Sequence, residues 1–156
     1  MRVREVIAAA LVIVAMGLAA RPRPRPSATV ADLSSDSKMQ VHAPAPVMSL
    51  LRRACFDCHS DNTRWPWYAA LPLASHFVER DVAAGRGQLN WSQWEHYNPF
   101  DRAGLLDQAC ELASMHTMPP RPYRIMHAEA RLSAADVSEL CAWTRVEAMR
   151  LVQVGG

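Results

Sequence analysis

The segment Cys55-Phe56-Asp57-Cys58-His59 constrains this chain more than any other part of it. On one helical turn, two thiols three residues apart and an imidazole beside the second project from the same side. Such a group can bond the edge of one flat macrocycle and reach a metal at its centre. C-x-x-C-H is the attachment pattern of a c-type haem. The sequence therefore predicts one covalent haem c at Cys55 and Cys58, with His59 as an axial ligand of its iron.

Three other uses of paired cysteines fit less well. A thioredoxin-like pair follows a strand in a βαβ unit, whereas residues 47–54 have a helical pattern. A zinc site needs a second ligand pair at short spacing, yet Cys110 and Cys141 stand far apart. A disulfide within the motif would be strained at this spacing. Haem attachment remains the favoured interpretation.

Residues 1–20 have the pattern of an export signal. Arg2 and Arg4 form a basic start, and residues 6–20 are an apolar run, short for a membrane span. Three arginines within residues 21–25 follow directly, and positive charge there resists translocation. We expect a periplasmic protein whose first segment is either a cleaved signal peptide or a membrane anchor.

The remaining chain divides into a linker and one small domain. Residues 21–46 are rich in Pro, Ser and Ala without an apolar period, which predicts a linker, and residues 47–156 have the length of one domain. Beyond residue 26 the chain holds 12 of the 17 basic and 14 of the 15 acidic residues, a balance of −2. A nucleic-acid partner is therefore not expected.

The apolar pattern of the domain is helical wherever it is clear. Helices are predicted over residues 47–54 leading into the motif, Pro72–Ala84 ending at Gly85, and Asp101–Met115. A last helix opens at a capping box formed by Ser133 and Asp136, with Val137, Leu140, Cys141 and Thr144 facing inward. Residues 65–68 predict an aromatic loop because Pro66 cannot lie inside a helix, and residues 89–94 receive no assignment. The predicted fold class is all-α, a small cytochrome c-like helical domain around one haem.

A second axial ligand must come from elsewhere in the chain. Met118 is the favoured candidate because Pro119 and Pro120 force a stiff, extended segment that can hold a thioether toward iron. His116 is its rival. Met115 and Met126 are expected to fill the core instead, and His76 and His96 to lie at the surface. His127 is a further candidate.

Aromatic and basic residues near the motif are candidate haem contacts. Trp65, Trp67 and Tyr68 follow the attachment turn closely and are expected either to line the haem edge or to belong to the core. Arg64 and Arg86 are candidate partners of the haem propionates, with a solvated surface position as the alternative.

Cys110 and Cys141 remain after the haem takes its pair. An even number of remaining cysteines in an exported protein suggests a disulfide, here between the third and last predicted helices. Two buried free thiols are the alternative.

Taken together, these segments make the chain resemble the bacterial haem-binding domain family of c-type cytochrome-like proteins, over Leu51 to Thr144. The resemblance rests on Cys55-x-x-Cys58-His59-Ser60, Thr63-x-Trp65-Pro66-Trp67-Tyr68, Asp81-Val82-x-x-Gly85-Arg86-x-x-Leu89-Asn90-x-Ser92-x-Trp94, and Met118-Pro119 with Tyr123, His127 and Leu132-Ser133. It implies a covalent haem, a cytochrome c-like fold, an exported or membrane-tethered location and Met118 as distal ligand. The chain departs from the family pattern at His76 and at His116-Thr117.

Two main functional classes follow for such a domain. A haem iron with two protein ligands passes single electrons to a redox partner protein, whereas an open or displaceable sixth site would suit a sensor or a peroxide-reactive domain. The sequence holds no recognisable peroxidase-type acid–base pair, so we expect an electron carrier rather than an enzyme. A purely structural haem in an accessory module is a third possibility.

Overall fold

The computed structural model describes residues 40–155, and their regular structure is entirely helical. The predicted all-α class is thus confirmed. The predicted signal segment 1–20 and most of the linker 21–46 lie outside the described residues. In the described part no helix has the length and apolarity needed to cross a bilayer. The elements are α1 (Ala45–Ala54), α2 (Phe56–His59), α3 (Pro72–Gln88), α4 (Pro99–Ser114), α5 (Arg121–Met126), α6 (Ala134–Gly155) and the 3₁₀ turns Trp67–Ala70, Trp91–His96 and Ala128–Ala130.

Helix α1 buries the predicted apolar stripe. Val47, Leu50, Leu51 and Ala54 are all buried, at the i, i+3, i+4, i+7 spacing of one helical face. The helix then ends instead of continuing through the cysteines. Cys55 has φ −121° and ψ −41°, outside helical geometry, and the short turn α2 follows it. The prediction that the motif continues the first helix is therefore wrong, because the backbone is kinked at Cys55.

Helix α3 continues through Gly85, where the sequence predicted its end. Gly85 lies in ordinary helical backbone, so it does not serve as a helix stop. A Cβ at this position would lie 2.6 Å from the carbonyl oxygen of Cys58. Glycine is needed here because it lets α3 pack directly against the attachment turn.

Helices α4 and α6 pack along each other and complete the domain. Cys110 of α4 and Cys141 of α6 are joined by a disulfide, with 4.9 Å between their Cα atoms. Helix α4 begins two residues before the prediction because the Asn98 side chain caps it by accepting from the Asp101 amide at 2.9 Å.

The capping box at the start of α6 is confirmed. The Ser133 hydroxyl accepts from the Asp136 amide, and the Asp136 carboxylate accepts from the Ser133 amide. Leu140 and Thr144 are buried as predicted, whereas Val137 and Cys141 are only partly buried. The unassigned aromatic segment becomes the turn Trp91–His96, which places Trp91 and Trp94 in the core.

Candidate functional site

A cavity of about 300 Å³ opens beside the attachment turn. Cys55, Cys58 and His59 form part of its wall, and Met118 lines it as well. The volume lies at the lower end of the range for small-molecule and cofactor sites. Most of the remaining wall is apolar and comprises Leu51, Ala54, Ala84, Gly85, Leu89, Trp91, Leu105, Ala109, Leu112, Ala113, Pro119, Pro120, Leu132 and Leu140.

The polar members of the wall carry little charge. They are Asp81, Gln88, Gln108 and Tyr123, besides the motif residues. No arginine or lysine is among the lining residues of segment 40–155. The side chain of Asp81 is paired with Arg80 at 3.2 Å. The wall therefore suits an apolar molecule and offers no cation to an acidic group within it.

His59 is held in the state that binds a metal. Its Nδ1 lies 3.0 Å from the carbonyl oxygen of Leu89. Because a carbonyl oxygen can only accept, Nδ1 carries the proton and Nε2 of the neutral ring keeps its lone pair. Burial lowers the pKa of His59, and the bonds to the Leu89 and Gly85 carbonyls oppose that shift only in part. The imidazole is thus neutral, and the hydrogen bond from Nδ1 to the Leu89 carbonyl orients the ring, as in many metal sites.

The two motif cysteines are free thiols. Burial, reinforced by Cys58, raises the pKa of the Cys55 thiol to about 12. Burial, reinforced by Asp57 and Asp81, raises the pKa of Cys58 to about 11. Thioredoxin-type pairs need a lowered thiol pKa. The environment of this pair raises the pKa of both thiols instead of lowering it. The motif also follows a helix, not the strand that precedes a thioredoxin-type pair.

The backbone at Met118 and at the residue before it is hydrogen-bonded to the end of α4. The amides of Thr117 and Met118 both donate to the carbonyl oxygen of Leu112, at 3.0 and 3.1 Å. Pro119, the next residue, is buried. The Met118 side chain lines the cavity and is 38 % exposed.

The other candidate ligands lie outside the cavity wall. His116 is exposed and has a positive φ of 54°. Met115 and Met126 are exposed, which is a correction, because the sequence suggested that they fill the core. His76 and His96 are at the surface, as expected. His127 is partly buried, but its Nε2 pairs with the Tyr68 hydroxyl at 2.9 Å.

The predicted aromatic contacts are not part of the cavity wall. Trp67 is 75 % exposed, so it belongs neither to the wall nor to the core. Trp65 is 37 % exposed and Tyr68 turns its hydroxyl to His127. Pro66 immediately precedes the turn Trp67–Ala70, and no residue of that turn lines the cavity.

The two candidate arginines support the attachment turn instead of lining the cavity. Arg86 donates to the Ser60 carbonyl at 2.8 Å and to Thr63 Oγ1 at 2.9 Å. Arg64 donates to the carboxylate of Asp57, which lies between the two cysteines. Backbone, hydroxyl and carboxylate acceptors within residues 57–63 accept hydrogen bonds from these guanidinium groups. Their role as propionate partners stays a prediction.

Several residues of the site had no role assigned from sequence. Gly85 allows α3 to lie close to the backbone of Cys58. The carbonyl oxygen of Leu89 accepts a hydrogen bond from His59, and the side chain of Tyr123 lines the cavity. All three stand in the segments that carried the family resemblance, which was the one available signal. A main-chain carbonyl leaves no trace in residue type, so the bond to His59 could not be read from the sequence.

The donor chemistry of these residues fits a haem. The group requires an apolar slot, a neutral imidazole and, for a second ligand, a soft sulfur or another nitrogen. His59 and Met118 supply the nitrogen and the sulfur on one largely apolar cavity. Across residues 40–155, no three His, Cys, Asp or Glu side chains are grouped to hold a bare metal ion. A haem does not need such a cluster, because its own four nitrogens surround the iron.

Comparison with known proteins identifies a matching family. A family profile described as a haem-binding domain matches residues 11–146, most of the chain. No curated protein and no solved structure matches it. The match includes every cavity residue, from Leu51 to Leu140. The chain therefore belongs to the haem-binding domain family.

Proposed function

We propose that this domain carries one haem c, joined to Cys55 and Cys58, and transfers single electrons with His59 and Met118 as axial ligands. One observation carries the proposal. The two thiols, the imidazole and the thioether are contributed by segments some sixty residues apart in sequence, and all four line one cavity. A haem bound there would supply a one-electron iron couple.

Free thiols are what covalent attachment requires. Addition of each thiol to a haem vinyl group would break one S–H bond and one C=C π bond and form one C–S and one C–H bond, so no oxidant or reductant would be consumed. Cys55 and Cys58 are both free, whereas Cys110 and Cys141 are bonded to each other. The pairing thus leaves only the motif thiols available for attachment.

The axial residues favour a fairly high reduction potential. A soft thioether stabilises ferrous iron relative to a second nitrogen ligand. The Leu89 carbonyl acts in the other direction, because a bond from His59 Nδ1–H makes the imidazole more basic. In this proposal the protein orients both ligands, and the apolar cavity wall keeps water away from the haem.

We further propose that the domain works in the periplasm, soluble or tethered to the membrane through its first segment, and serves a redox partner protein. The support is the basic start and apolar run of residues 1–20, together with the disulfide in the folded domain. Nothing in its charge balance favours nucleic acid.

Visible spectra of the full chain, produced with cytochrome c maturation, test the proposal. Oxidised and reduced spectra of the wild type are compared with Met118→Ala and with His116→Ala as the neighbouring control. We expect a weak near-infrared sulfur-to-iron band that disappears only in Met118→Ala. Loss of the band in His116→Ala alone, or no covalent haem, would contradict the proposal.

A second function, with a displaceable sixth site, is favoured by one observation. Met118 is 38 % exposed, more than expected for a ligand enclosed by the fold. Rapid binding of carbon monoxide to the reduced wild type would support a sensor or peroxide-reactive domain. Slow binding in the wild type and fast binding in Met118→Ala would support electron transfer.

A further inference from the structure

The segment that carries Met118, residues 117–126, is hydrogen-bonded to the attachment turn, residues 55–59. The hydroxyl of Tyr123, on α5, donates to Oδ2 of Asp57 at 2.7 Å. Tyr123 follows Met118 by five residues and lines the same cavity. Asp57 lies between Cys55 and Cys58. This hydrogen bond, between residues 66 positions apart in sequence, thus joins the two sides of the proposed haem site.

The acceptor in this bond is held in place independently. The backbone amide and Nε of Arg64 both donate to Asp57 Oδ1 at 3.1 Å, and Nη2 donates to Oδ2 at 3.2 Å. The carboxylate is buried. Asp57 therefore offers Tyr123 a fixed carboxylate acceptor that is paired with Arg64, and hydrogen bonds to such acceptors are stronger than those between neutral groups.

The ring of Tyr123 is oriented without the help of its hydroxyl. It stacks on His127 with the ring centroids 4.1 Å apart and 14° between the planes. His127 is in turn paired with Tyr68 and Glu129. Exchanging Tyr123 for phenylalanine would therefore remove the bond to Asp57 and leave the stacking in place.

We propose that Tyr123 is a positioning residue that holds the Met118 segment against the attachment turn and so governs how readily Met118 leaves the iron. This inference rests on the proposed His59/Met118 ligation. With the bond present, the segment cannot move outward without breaking a charged contact. Without it, the hydrogen bonds to Leu112 hold the chain at Met118, and the bonds of His127 with Tyr68 and of the Glu129 carbonyl with Arg53 hold the chain after α5.

The test measures how fast imidazole binds to the oxidised, haem-loaded full chain. Binding must wait for Met118 to dissociate, so its limiting rate reports lability. We expect Tyr123→Phe to raise this rate about tenfold or more, the loss of one hydrogen bond to a charged group. Arg64→Gln, which loosens Asp57 and leaves Tyr123 intact, should raise it less.

Two controls separate positioning from general loss of stability. Asn98→Ala removes the α4 cap, a comparable bond whose residue does not line the cavity, and should leave the rate unchanged. In a Met118→Ala background, Tyr123→Phe should have no further effect. Equal rates in Tyr123→Phe and wild type, acceleration by Asn98→Ala, or acceleration persisting without Met118 would each overturn the inference.

Failure of the proposed function has a different signature. If the wild type binds imidazole as fast as Met118→Ala does, Met118 is not a ligand and both proposals fail. If the wild type is slow, Met118→Ala is fast and Tyr123→Phe matches the wild type, the ligation stands and only the role of Tyr123 is refuted.

Discussion

His59 and Tyr97 are bonded to opposite sides of one peptide group. The Nδ1–H of His59 donates to the carbonyl oxygen of Leu89, and the amide of Asn90, in the same peptide unit, donates to the Tyr97 hydroxyl at 3.0 Å. Because hydrogen bonds in series polarise one another, the Tyr97 contact makes the Leu89 carbonyl a better acceptor. Tyr97 therefore influences the proposed axial imidazole without touching it.

Tyr97→Phe should raise the reduction potential of the haem-loaded protein. A weaker Leu89 acceptor leaves the imidazole less basic and stabilises ferric iron less. Polarisation alters a bond worth about 1 kcal/mol by about 10–30 %, which corresponds to a change on the order of 10 mV. Potentiometric titration measures it, with Asn98→Ala as the control. A fall in potential would contradict the relay.

Gly85→Ala should destabilise the domain and reduce haem attachment. The new Cβ would lie 2.6 Å from a backbone oxygen of Cys58, which cannot rotate away as a side chain could. We expect a loss of about 1–3 kcal/mol in the free energy of unfolding, measured by urea titration, together with a lower yield of covalent haem.

Gly87→Ala is the matched control for that change. It lies on the same helix, and a Cβ there meets no atom within 4 Å. Alanine should be neutral or stabilise the helix by up to about 1 kcal/mol. Equal losses of stability in the two variants would show that the contact with Cys58 is unimportant.

Removing the Cys110–Cys141 bond should weaken the packing of α4 against α6. The bond closes a loop with a sequence separation of 31, for which chain entropy gives roughly 3–4 kcal/mol. Cavity residues lie beside both cysteines, Ala109 on α4 and Leu140 on α6. The double variant Cys110→Ala/Cys141→Ala should therefore unfold at lower urea concentration. An unchanged midpoint would mean that the bridge contributes no stability.

Asp136 should make stability depend on pH in the acid range. Burial opposes its ionised form, but the hydrogen bonds from Ser133 and Arg53 outweigh burial and hold the pKa of Asp136 below its ordinary value of 3.8. Because the folded value is the lower one, the stabilisation is complete above the unfolded pKa. It disappears as the pH falls through the folded pKa.

The stability difference between wild type and Asp136→Asn should accordingly be largest near neutral pH, at about 1 kcal/mol, and vanish in strong acid. Urea midpoints across the acid range measure this difference. Glu139→Gln, at an exposed position on the same helix, is the control. A difference that grows toward low pH would contradict the assigned direction.

Local features of the fold could be predicted because they depend on residues close together in sequence. The stripe of α1 follows from apolar residues at i, i+3, i+4 and i+7, and the capping box follows from Ser133 and Asp136 three residues apart. The clearest error had the same origin. Gly85 predicts a helix end by local propensity, but its purpose is a contact with Cys58, 27 positions away.

The expected haem contacts show how far local reasoning reaches in this chain. Trp67 is a predicted haem contact because it closely follows the motif in sequence, and Arg86 is a candidate propionate partner with a solvated surface position as the alternative. The turn at Trp67–Ala70 carries Trp67 into solvent, and the carbonyl of Ser60 takes up Arg86. Proximity in sequence does not determine which way a side chain points once a proline redirects the backbone.

The sequence by itself determined the helical class, the motif Cys55-x-x-Cys58-His59 and the preference for Met118, because spacing and backbone restriction act over a few residues. Only the tertiary structure decided that His59 donates to a backbone carbonyl 30 residues away and that Tyr123 reaches Asp57. Such contacts form between helices whose relative positions result from burying many side chains at once. No short pattern encodes that packing, so its consequences appear only when the chain is folded.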